Sequence, residues 1–231
     1  MDLSLCLQSL QTTDENIFKD KTVTILGLGG VGSRVASMLV RHGINVRLID
    51  KERFYEREFP RQSLFREEDI SKFKAKQAKK LLEQLDSNAI IKTFHEELTK
   101  DNAFLLKSDV IVDTTNSPKI TAISNEYAQQ EQVAYISSNC AGMTATMLTY
   151  IPGKVGGCAN CAGDAHNVGT IKKNGMFSPL SDLMAGLVGS QILHYLAGKE
   201  VNNQLISVNL EPYNITSTKV ESIKGCPVCS P

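Results

Sequence analysis

A buried β-strand that runs directly into a glycine loop constrains the fold of this chain more than any other feature. Residues Thr22 to Leu26 have the sequence TVTIL, whose β-branched residues predict a strand. The loop GLGGVG follows from Gly27 to Gly32, and a helix is predicted from Val31 to Arg41. This order predicts the first strand–helix unit of a parallel sheet, with a helix N-terminus that can bind a phosphate group.

The alternation of strands and helices continues through the next part of the chain. Residues 51–70 are charged and contain Pro60, so they are predicted to form a loop. Such alternation implies a doubly wound α/β fold with a mostly parallel sheet. The further strands are predicted at 45–49, 89–94, 109–113 and 133–137, and the helices at 72–85 and 118–130.

The pattern changes towards the C-terminus. A helix is predicted at 179–198, and residues 163–178, which are poor in apolar side chains, are predicted to form a mobile loop. Three further strands lack the spacing of a βαβ unit, and we expect them to add to the sheet in antiparallel orientation. They are predicted at 144–151, 204–210 and 213–220.

Length and composition indicate one ordinary globular domain over residues 1–231. Within it we expect an N-terminal extension (1–20), a nucleotide-binding half (21–140) and an antiparallel half that carries a metal site (141–231). Lys+Arg and Asp+Glu both number 25, which argues against general nucleic-acid binding. The 179–198 helix is interrupted by polar residues, so no membrane span is expected, and a secretion signal is not recognisable. A cytoplasmic location is therefore expected.

The glycine loop and the next strand end predict a nucleotide site. Gly27, Gly29, Gly30 and Gly32 would let backbone N–H groups approach a phosphate, and Asp50, which ends the second strand, would bind ribose hydroxyls. These features alone fit ATP and NAD equally well.

Two Cys-x-x-Cys pairs predict a structural zinc site. Cys158/Cys161 and Cys226/Cys229 together offer four thiolates, which is the ligand set of closed tetrahedral zinc sites. Free thiols or a redox pair are the alternatives. The four histidines show no metal-ligand spacing, and His166 is expected to be a solvated loop residue.

The ordered set of motifs resembles the ThiF/MoeB/HesA family, the bacterial and archaeal relatives of ubiquitin-activating enzymes. The resemblance covers residues 21 to 229 nearly completely. After the glycine loop and Asp50 come the pair Arg61-Gln62 and Lys74 in a predicted helix. Asp113 in VDTTN and the split tetracysteine complete the set.

This resemblance implies an adenylyltransferase of the ThiF type. Such enzymes use Mg-ATP to adenylate the C-terminal carboxylate of a small ubiquitin-like or sulfur-carrier protein, and they usually form homodimers. It implies catalytic roles for Arg61, Lys74 and Asp113. Gln62 would hydrogen-bond the nucleotide, and no general base is required because the attacking carboxylate is already ionised.

Three departures from the family pattern bear on activity. Asn116 stands where the family has a second, magnesium-binding aspartate, so Asp113 is expected to carry more of that role. The N-terminal arginine that reaches into a partner subunit is not visible, because no arginine precedes Arg34. The 163–178 loop lacks the catalytic cysteine of some relatives, which leaves Cys140 and Cys6 as the thiols outside the pairs. Cys140 is expected to be a small buried residue.

These departures argue against a thioester-forming activating enzyme and leave two alternatives to an active adenylyltransferase. One is a non-catalytic subunit that binds a nucleotide or a partner, which would explain Asn116 and the missing arginine. The other is an NAD-binding oxidoreductase, which would leave Arg61, Lys74 and the tetracysteine without a role.

Overall fold

An eight-stranded sheet forms the centre of the computed structural model, which describes residues 3–14, 16–168 and 175–230. The strand order is β3-β2-β1-β4-β5-β6-β7-β8. The strands are β1 (Thr22–Leu26), β2 (Asn45–Ile49), β3 (Ile91–Phe94), β4 (Val110–Asp113), β5 (Ala134–Ala141), β6 (Thr144–Tyr150), β7 (Gln204–Leu210) and β8 (Tyr213–Lys219).

Helices cover both faces of this sheet. The α-helices are α1 (Ser4–Ser9), α2 (Gly30–Val40), α3 (Lys74–Glu83), α4 (Pro118–Glu131), α5 (Ala159–Ala162) and α6 (Ser178–Leu196). Short 3-10 helices lie at Glu56–Arg61, Glu67–Asp69, Ala103–Leu106 and Gly163–His166.

The parallel part of the sheet places the candidate site. Strands β1 to β5 are parallel, and β1 lies between β2 and β4. The chain therefore reverses its direction of progress across the sheet at β1. In open α/β sheets, ligands bind at such a switch point, beyond the carboxyl ends of the strands. The glycine loop, Asp50 and residues 114–117 all follow those strand ends.

The antiparallel part confirms the expected change in topology. Strands β6, β7 and β8 each pair antiparallel with the strand before them, and β8 is the exposed edge strand. The mostly parallel α/β fold with antiparallel C-terminal strands is thus as predicted.

The core lies on the two faces of the sheet. On one face, apolar side chains of α2, α3 and α6 pack against the strands, and on the other face those of α4 and α5 do so. Helix α6 packs along α2, and the Arg34 guanidinium of α2 pairs with Asp182 at an Nε–Oδ1 distance of 2.5 Å. The start of α6 is thereby held beside the glycine loop.

The main differences from the predicted elements lie at their ends and in the loops. Helix α3 begins at Lys74 because Phe73 has an extended backbone. Strand β5 extends to Ala141 because it pairs with β6 from Tyr135 to Ala141. In the predicted mobile loop 163–178, residues 163–166 form a 3-10 helix, whereas 169–174 lie outside the described residues. Within the described part of the chain, no helix has the length and apolar character that a bilayer crossing requires.

Candidate functional site

A cavity of about 300 Å³ opens at the carboxyl ends of β1, β2 and β4 and is called here the glycine-loop cavity. Seven of the residues predicted to form the site contribute to its wall, whereas Gly32, Gln62 and Asp113 lie behind it. The seven are Gly27, Gly29, Gly30, Asp50, Arg61, Lys74 and Asn116.

The glycine loop has the conformation that its sequence predicts. Gly27 has a φ of +84°, which is unfavourable for every residue except glycine. A Cβ on Gly32 would lie 2.0 Å from the Gly27 carbonyl oxygen, so the turn can close only on glycine. A Cβ on Gly29 would meet no atom within 4 Å. The first N–H groups of α2 have no partner within the helix, and Gly29 leaves space in front of them for an anion.

Asp50 both shapes the loop and faces the cavity. Its Oδ2 accepts a hydrogen bond from the Leu28 N–H (2.7 Å), and its Oδ1 accepts one from the Glu52 N–H (2.7 Å). Burial raises the pKa of Asp50, and the nearby Lys74 ammonium and these two N–H groups oppose that rise. The remaining lone pairs of the carboxylate can accept ribose hydroxyls.

Arg61 and Lys74 are brought together by a carboxylate that the sequence did not reveal as a site residue. The Glu58 Oε1 atom accepts hydrogen bonds from Lys74 Nζ at 2.8 Å and from Arg61 Nη2 at 3.1 Å. Lys74 is the first residue of α3, and its N–H donates to the Glu52 carbonyl. The structure thus places two cations side by side on one wall of the cavity.

Gln62 lies behind the glycine loop. Its Nε2 donates to the Leu28 carbonyl (3.4 Å), and its Oε1 accepts from Ser33 Oγ (3.0 Å). In this geometry the side chain holds the loop against α2, and it does not contribute to the cavity wall as a nucleotide contact would.

Asp113 lies under the cavity floor, where it is 2% exposed. Its Oδ1 accepts from the N–H and the hydroxyl of Thr115, and its Oδ2 accepts from the hydroxyls of Thr121 and Tyr135. Burial raises its pKa, which these hydrogen bonds oppose. Asp113 therefore does not contribute to the cavity wall, and each of its oxygens already accepts two hydrogen bonds.

Asn116 forms a bidentate bridge to the backbone of β5. Its Nδ2 donates to the Cys140 carbonyl (2.5 Å), and its Oδ1 accepts from the Cys140 N–H (3.0 Å). Its own φ is +55°, a left-handed conformation that asparagine tolerates well. The predicted weakened metal position is therefore engaged in holding the end of a strand.

A second cavity, of about 470 Å³, lies on the other side of Asn116 and is called here the amide cavity. Asn116, Asn125, Asn139, Asn160 and Asn167 contribute to its wall. Among the described residues, the charged side chains on this wall, Glu126 and Asp164, are both acidic. Amide groups offer donors and acceptors together, which suits an extended polypeptide main chain.

His166 is buried on the wall of the amide cavity, so the expectation of a solvated histidine was wrong. It is 4% exposed, with Nε2 2.5 Å from Ser137 Oγ and Nδ1 3.0 Å from Thr146 Oγ1. Burial lowers the pKa of His166 to about 4, so the imidazole is neutral at pH 7. The sequence alone did not indicate this burial, because the hydrogen-bond partners of His166 lie on two strands that are distant from it in sequence.

Cys140 is buried as expected, at 2% exposure. Burial raises the pKa of its thiol to about 11. A thiol with such a pKa is protonated at neutral pH and is a poor nucleophile.

The four paired cysteines form one cluster. Their sulfur atoms all lie within 4.8 Å of one another. N–H groups donate to three of these sulfurs: Asn125 Nδ2 to Cys158, Asn160 Nδ2 to Cys226, and the Ile223 N–H to Cys161, each at 3.4 Å. The donor set, the clustering and these supporting hydrogen bonds fit a closed zinc site.

Comparison with known proteins supplies the family. The sequence profile of the ThiF family matches residues 3–228. The chain belongs to the ThiF family. Among curated relatives of this ThiF-family chain, the sulfur carrier protein ThiS adenylyltransferase of Bacillus subtilis is 29% identical over 220 residues. The alignment covers 91% of the chain and 65% of that relative, so the chain spans less than two thirds of its length.

Two other matches agree with the family. The molybdopterin-synthase adenylyltransferase of Escherichia coli is 22% identical over 234 residues, which cover 97% of this chain and 93% of that protein. Among solved structures, E. coli MccB with ATP has a TM-score of 0.85 at 23% identity, covering 98% of this chain and 74% of that one. At that identity the structural match shows a shared fold alone.

The ThiF-family chain carries site residues that sequence reasoning missed. Glu58 lies in a stretch that had been interpreted as an irregular loop, and Thr115, Thr121 and Tyr135 together enclose Asp113. The one available signal was the spacing of Glu58 three residues before Arg61, which a helical turn brings together.

Proposed function

We propose that this chain uses ATP to adenylate the C-terminal carboxylate of a small ubiquitin-like or sulfur-carrier protein. The observation that carries the proposal is the Arg61–Lys74 pair beside a helix N-terminus and Asp50, all on one cavity wall. Membership of the ThiF family and the activities of its adenylyltransferase relatives support the same reaction.

In this proposal the nucleotide lies across the carboxyl ends of β1 and β2. Asp50 accepts the ribose hydroxyls, and the N–H groups of the glycine loop face the phosphates. Arg61 and Lys74 offer a planar fork and a point charge to the polyphosphate. Fixed cations at this place stabilise the charge that develops as the phosphate bond breaks.

The acyl substrate approaches from the amide cavity. Asn116 contributes to both cavities, so a carboxylate that ends near Asn116 would meet the α-phosphate there. The terminal residues of the carrier would then lie along the side-chain amides. A substrate of this kind needs an extended, flexible C-terminus.

The reaction needs no proton transfer. A carboxylate oxygen attacks the α-phosphorus and forms the acyl–phosphate bond. The bond from the α-phosphorus to the bridging oxygen breaks, and pyrophosphate leaves with that electron pair. The residues of this chain bind, orient and stabilise charge, as is general in phosphoryl chemistry.

Zn²⁺ and Mg²⁺ would have different roles in this proposal. Cys158, Cys161, Cys226 and Cys229 would hold a structural Zn²⁺, which would join the 158–161 turn to the C-terminal segment. Mg²⁺ would accompany ATP as its counter-ion. Asp113 does not fit as its ligand here, because each of its oxygens already accepts two hydrogen bonds, whereas Asn116 Oδ1 accepts one and keeps a lone pair. No step is assigned to the metal.

Assembly and location are further parts of the proposal. We infer a homodimer, as the resemblance to the family implies, and sedimentation velocity on the full-length chain would test it. We also infer a cytoplasmic location, because ATP and reduced thiols are available there.

The test is ATP–pyrophosphate exchange driven by a carrier protein. Small carriers, beginning with the ThiS protein of B. subtilis, are supplied with and without their last residue. We expect exchange only with the intact C-terminus, and its loss in Arg61→Ala and in Lys74→Ala. Lys76→Ala is the matched control, because Lys76 is an exposed residue of the same helix.

Full exchange in Arg61→Ala and Lys74→Ala would refute the assignment of the cations. If the protein binds ATP but no carrier supports exchange, the result would favour the non-catalytic subunit. Binding of NAD in place of ATP, measured by calorimetry, would refute adenylation.

A further inference from the structure

Glu58 contacts both cations of the glycine-loop cavity through one oxygen atom. Lys74 Nζ lies 2.8 Å from Oε1, and Arg61 Nη2 lies 3.1 Å from the same atom. Glu58 is 6% exposed, so water screens these contacts weakly. The carboxylate therefore holds two like charges side by side.

The backbone fixes Glu58 in this place. Its Oε2 accepts a hydrogen bond from the Tyr55 N–H at 3.1 Å, and its own N–H donates to the Tyr55 carbonyl at 2.8 Å. These reciprocal bonds cap the 3-10 helix Glu56–Arg61. The carboxylate thus stays beside the cations when an anion approaches them.

A fixed carboxylate has two opposite effects on a bound polyphosphate. A lysine ammonium has three N–H groups and a guanidinium has five, and the bond to Glu58 uses one of each. The other N–H groups of Lys74 and Arg61, held at a set separation, can meet phosphate oxygens. The negative charge of Glu58, however, lies close to the same oxygens and weakens the attraction.

The charge of the whole wall also weakens the attraction of the cavity for a polyanion. Among the described residues that form the glycine-loop cavity, carboxylates outnumber cations by five to three, whereas a site built only for tight polyanion binding would have more cations. The cations are Lys51, Arg61 and Lys74, and the carboxylates are Asp50, Glu52, Glu58, Glu96 and Glu97.

Glu58, Arg61 and Lys74 also contribute to a neighbouring cavity of about 750 Å³, which includes Tyr55 and Arg57. The triad therefore lies between the glycine-loop cavity and a second opening. An anion held by the two cations could depart through that opening.

We propose that Glu58 is a positioning residue that sets the separation of Arg61 and Lys74 and weakens their hold on the pyrophosphate product. The carboxylate keeps the cations ready for the phosphates of ATP, and its charge favours release once the phosphate bond has broken. The inference rests on the proposed function, because pyrophosphate is a product only if the chain adenylates.

The experiment titrates full-length protein with inorganic pyrophosphate in the presence of Mg²⁺. Glu58→Gln keeps an acceptor oxygen but removes the charge, and we expect it to bind pyrophosphate about tenfold more tightly than wild type. In the exchange assay the same variant should show a lower KM for pyrophosphate and a lower kcat. Adenosine, which lacks phosphates, should bind both proteins equally.

Two variants separate charge from structure. Glu58→Asp keeps the charge, and we expect its pyrophosphate affinity to stay close to that of wild type. Glu56→Gln removes an exposed carboxylate from the same 3-10 helix and should change nothing. Thermal unfolding of each variant shows whether it is folded.

Wild-type or weaker pyrophosphate binding in Glu58→Gln would overturn the inference, and so would tighter binding in Glu58→Asp. If wild type binds ATP and pyrophosphate but Glu58→Gln does not differ from it, only this inference fails. If wild type binds neither ATP nor pyrophosphate, the proposed function fails with it.

Discussion

The glycine-loop cavity and the amide cavity meet at Asn116, yet their walls use polar groups of different kinds. The first has fixed charges in contact with one another, with Glu58 between Arg61 and Lys74. The second has side-chain amides, the neutral imidazole of His166 and the two carboxylates Glu126 and Asp164. Full charges can match a polyanion, whereas neutral dipoles can match the N–H and C=O groups of a peptide without a large desolvation cost.

The two cavities share one support. Asp113 lies beneath them and binds Thr115, which contributes to the glycine-loop cavity, and Thr121, which contributes to the amide cavity. The two walls therefore differ only in the side chains that face each cavity, since both rest on the same buried carboxylate. Four substitutions test this difference between the walls, ordered by their expected effect on the free energy of unfolding.

Asp113→Ala should have the largest effect. It leaves four donors without their acceptor in a buried place, and we expect the free energy of unfolding to fall by about 3–5 kcal/mol. Urea unfolding at pH 7 measures this fall. Asp101→Ala, at an exposed position, is the control and should be close to neutral. A loss of less than about 1 kcal/mol in Asp113→Ala would show that the cavities do not share this support.

The neutrality of His166 should make the amide cavity sensitive to acid. The pKa of His166 is lowered to about 4 from 6.5, so between these values the unfolded chain binds more protons than the folded one. Stability from this group is therefore complete above pH 6.5 and falls as the pH is lowered, by about 3 kcal/mol in total.

Urea unfolding of wild type and His166→Gln between pH 8 and pH 5 measures this dependence. We expect the wild type to lose more stability than the variant over that range. His194→Gln, at an exposed position, should keep the wild-type slope. Equal slopes in wild type and His166→Gln would contradict a neutral imidazole at this position.

Asn116→Asp tests the partition between the two cavities. The carboxylate cannot donate to the Cys140 carbonyl and would face it at close range, so we expect a loss of about 1–2 kcal/mol. Asn88→Asp, at an exposed position, controls for the added charge. If Asn116→Asp instead gained stability in Mg²⁺, the position would be a metal site and the partition would be wrong.

Asp50→Asn should have the smallest effect on stability. The substitution removes the acceptor for one of the two backbone N–H groups. It also removes a carboxylate whose pKa is raised by burial. These changes offset each other, and we expect a loss of about 1 kcal/mol or less. Because the folded pKa is raised, the carboxylate opposes folding more as the pH rises above 3.8, so wild type should lose stability relative to Asp50→Asn from acid to neutral pH.

Calorimetric titration with ATP completes this last test. The Asp50→Asn variant should bind ATP about tenfold more weakly, because a charged acceptor for the ribose hydroxyls is lost. Unchanged ATP affinity would place the ribose elsewhere.

The sequence predicted the elements whose signals are local. Strands β1, β2 and β7 have the predicted bounds because short runs of β-branched and apolar residues end at clear turn residues. The glycine loop was predictable because its backbone geometry requires glycine. The cysteine cluster was predictable because two Cys-x-x-Cys pairs together supply the four thiolates of a zinc site. Arg61 and Lys74 were placed only through resemblance to the family.

Contacts between distant segments were beyond the sequence. Asp50 directly follows β2 and Asp113 is the last residue of β4, and nothing in either strand shows that only Asp50 reaches the cavity. The difference comes from Thr121 and Tyr135, which close over Asp113 from another helix and another strand. His166 was misplaced for the same reason, because its partners Ser137 and Thr146 lie on β5 and β6.

One side chain joins the cysteine cluster to the amide cavity. Asn125 donates to Cys158 Sγ at 3.4 Å and accepts from the Ala159 N–H at 3.1 Å, while it also contributes to the cavity wall. Oxidation of the thiols would therefore disturb the wall of the amide cavity through Asn125. If the carrier binds in the amide cavity as proposed, an oxidant would lower activity by weakening carrier binding.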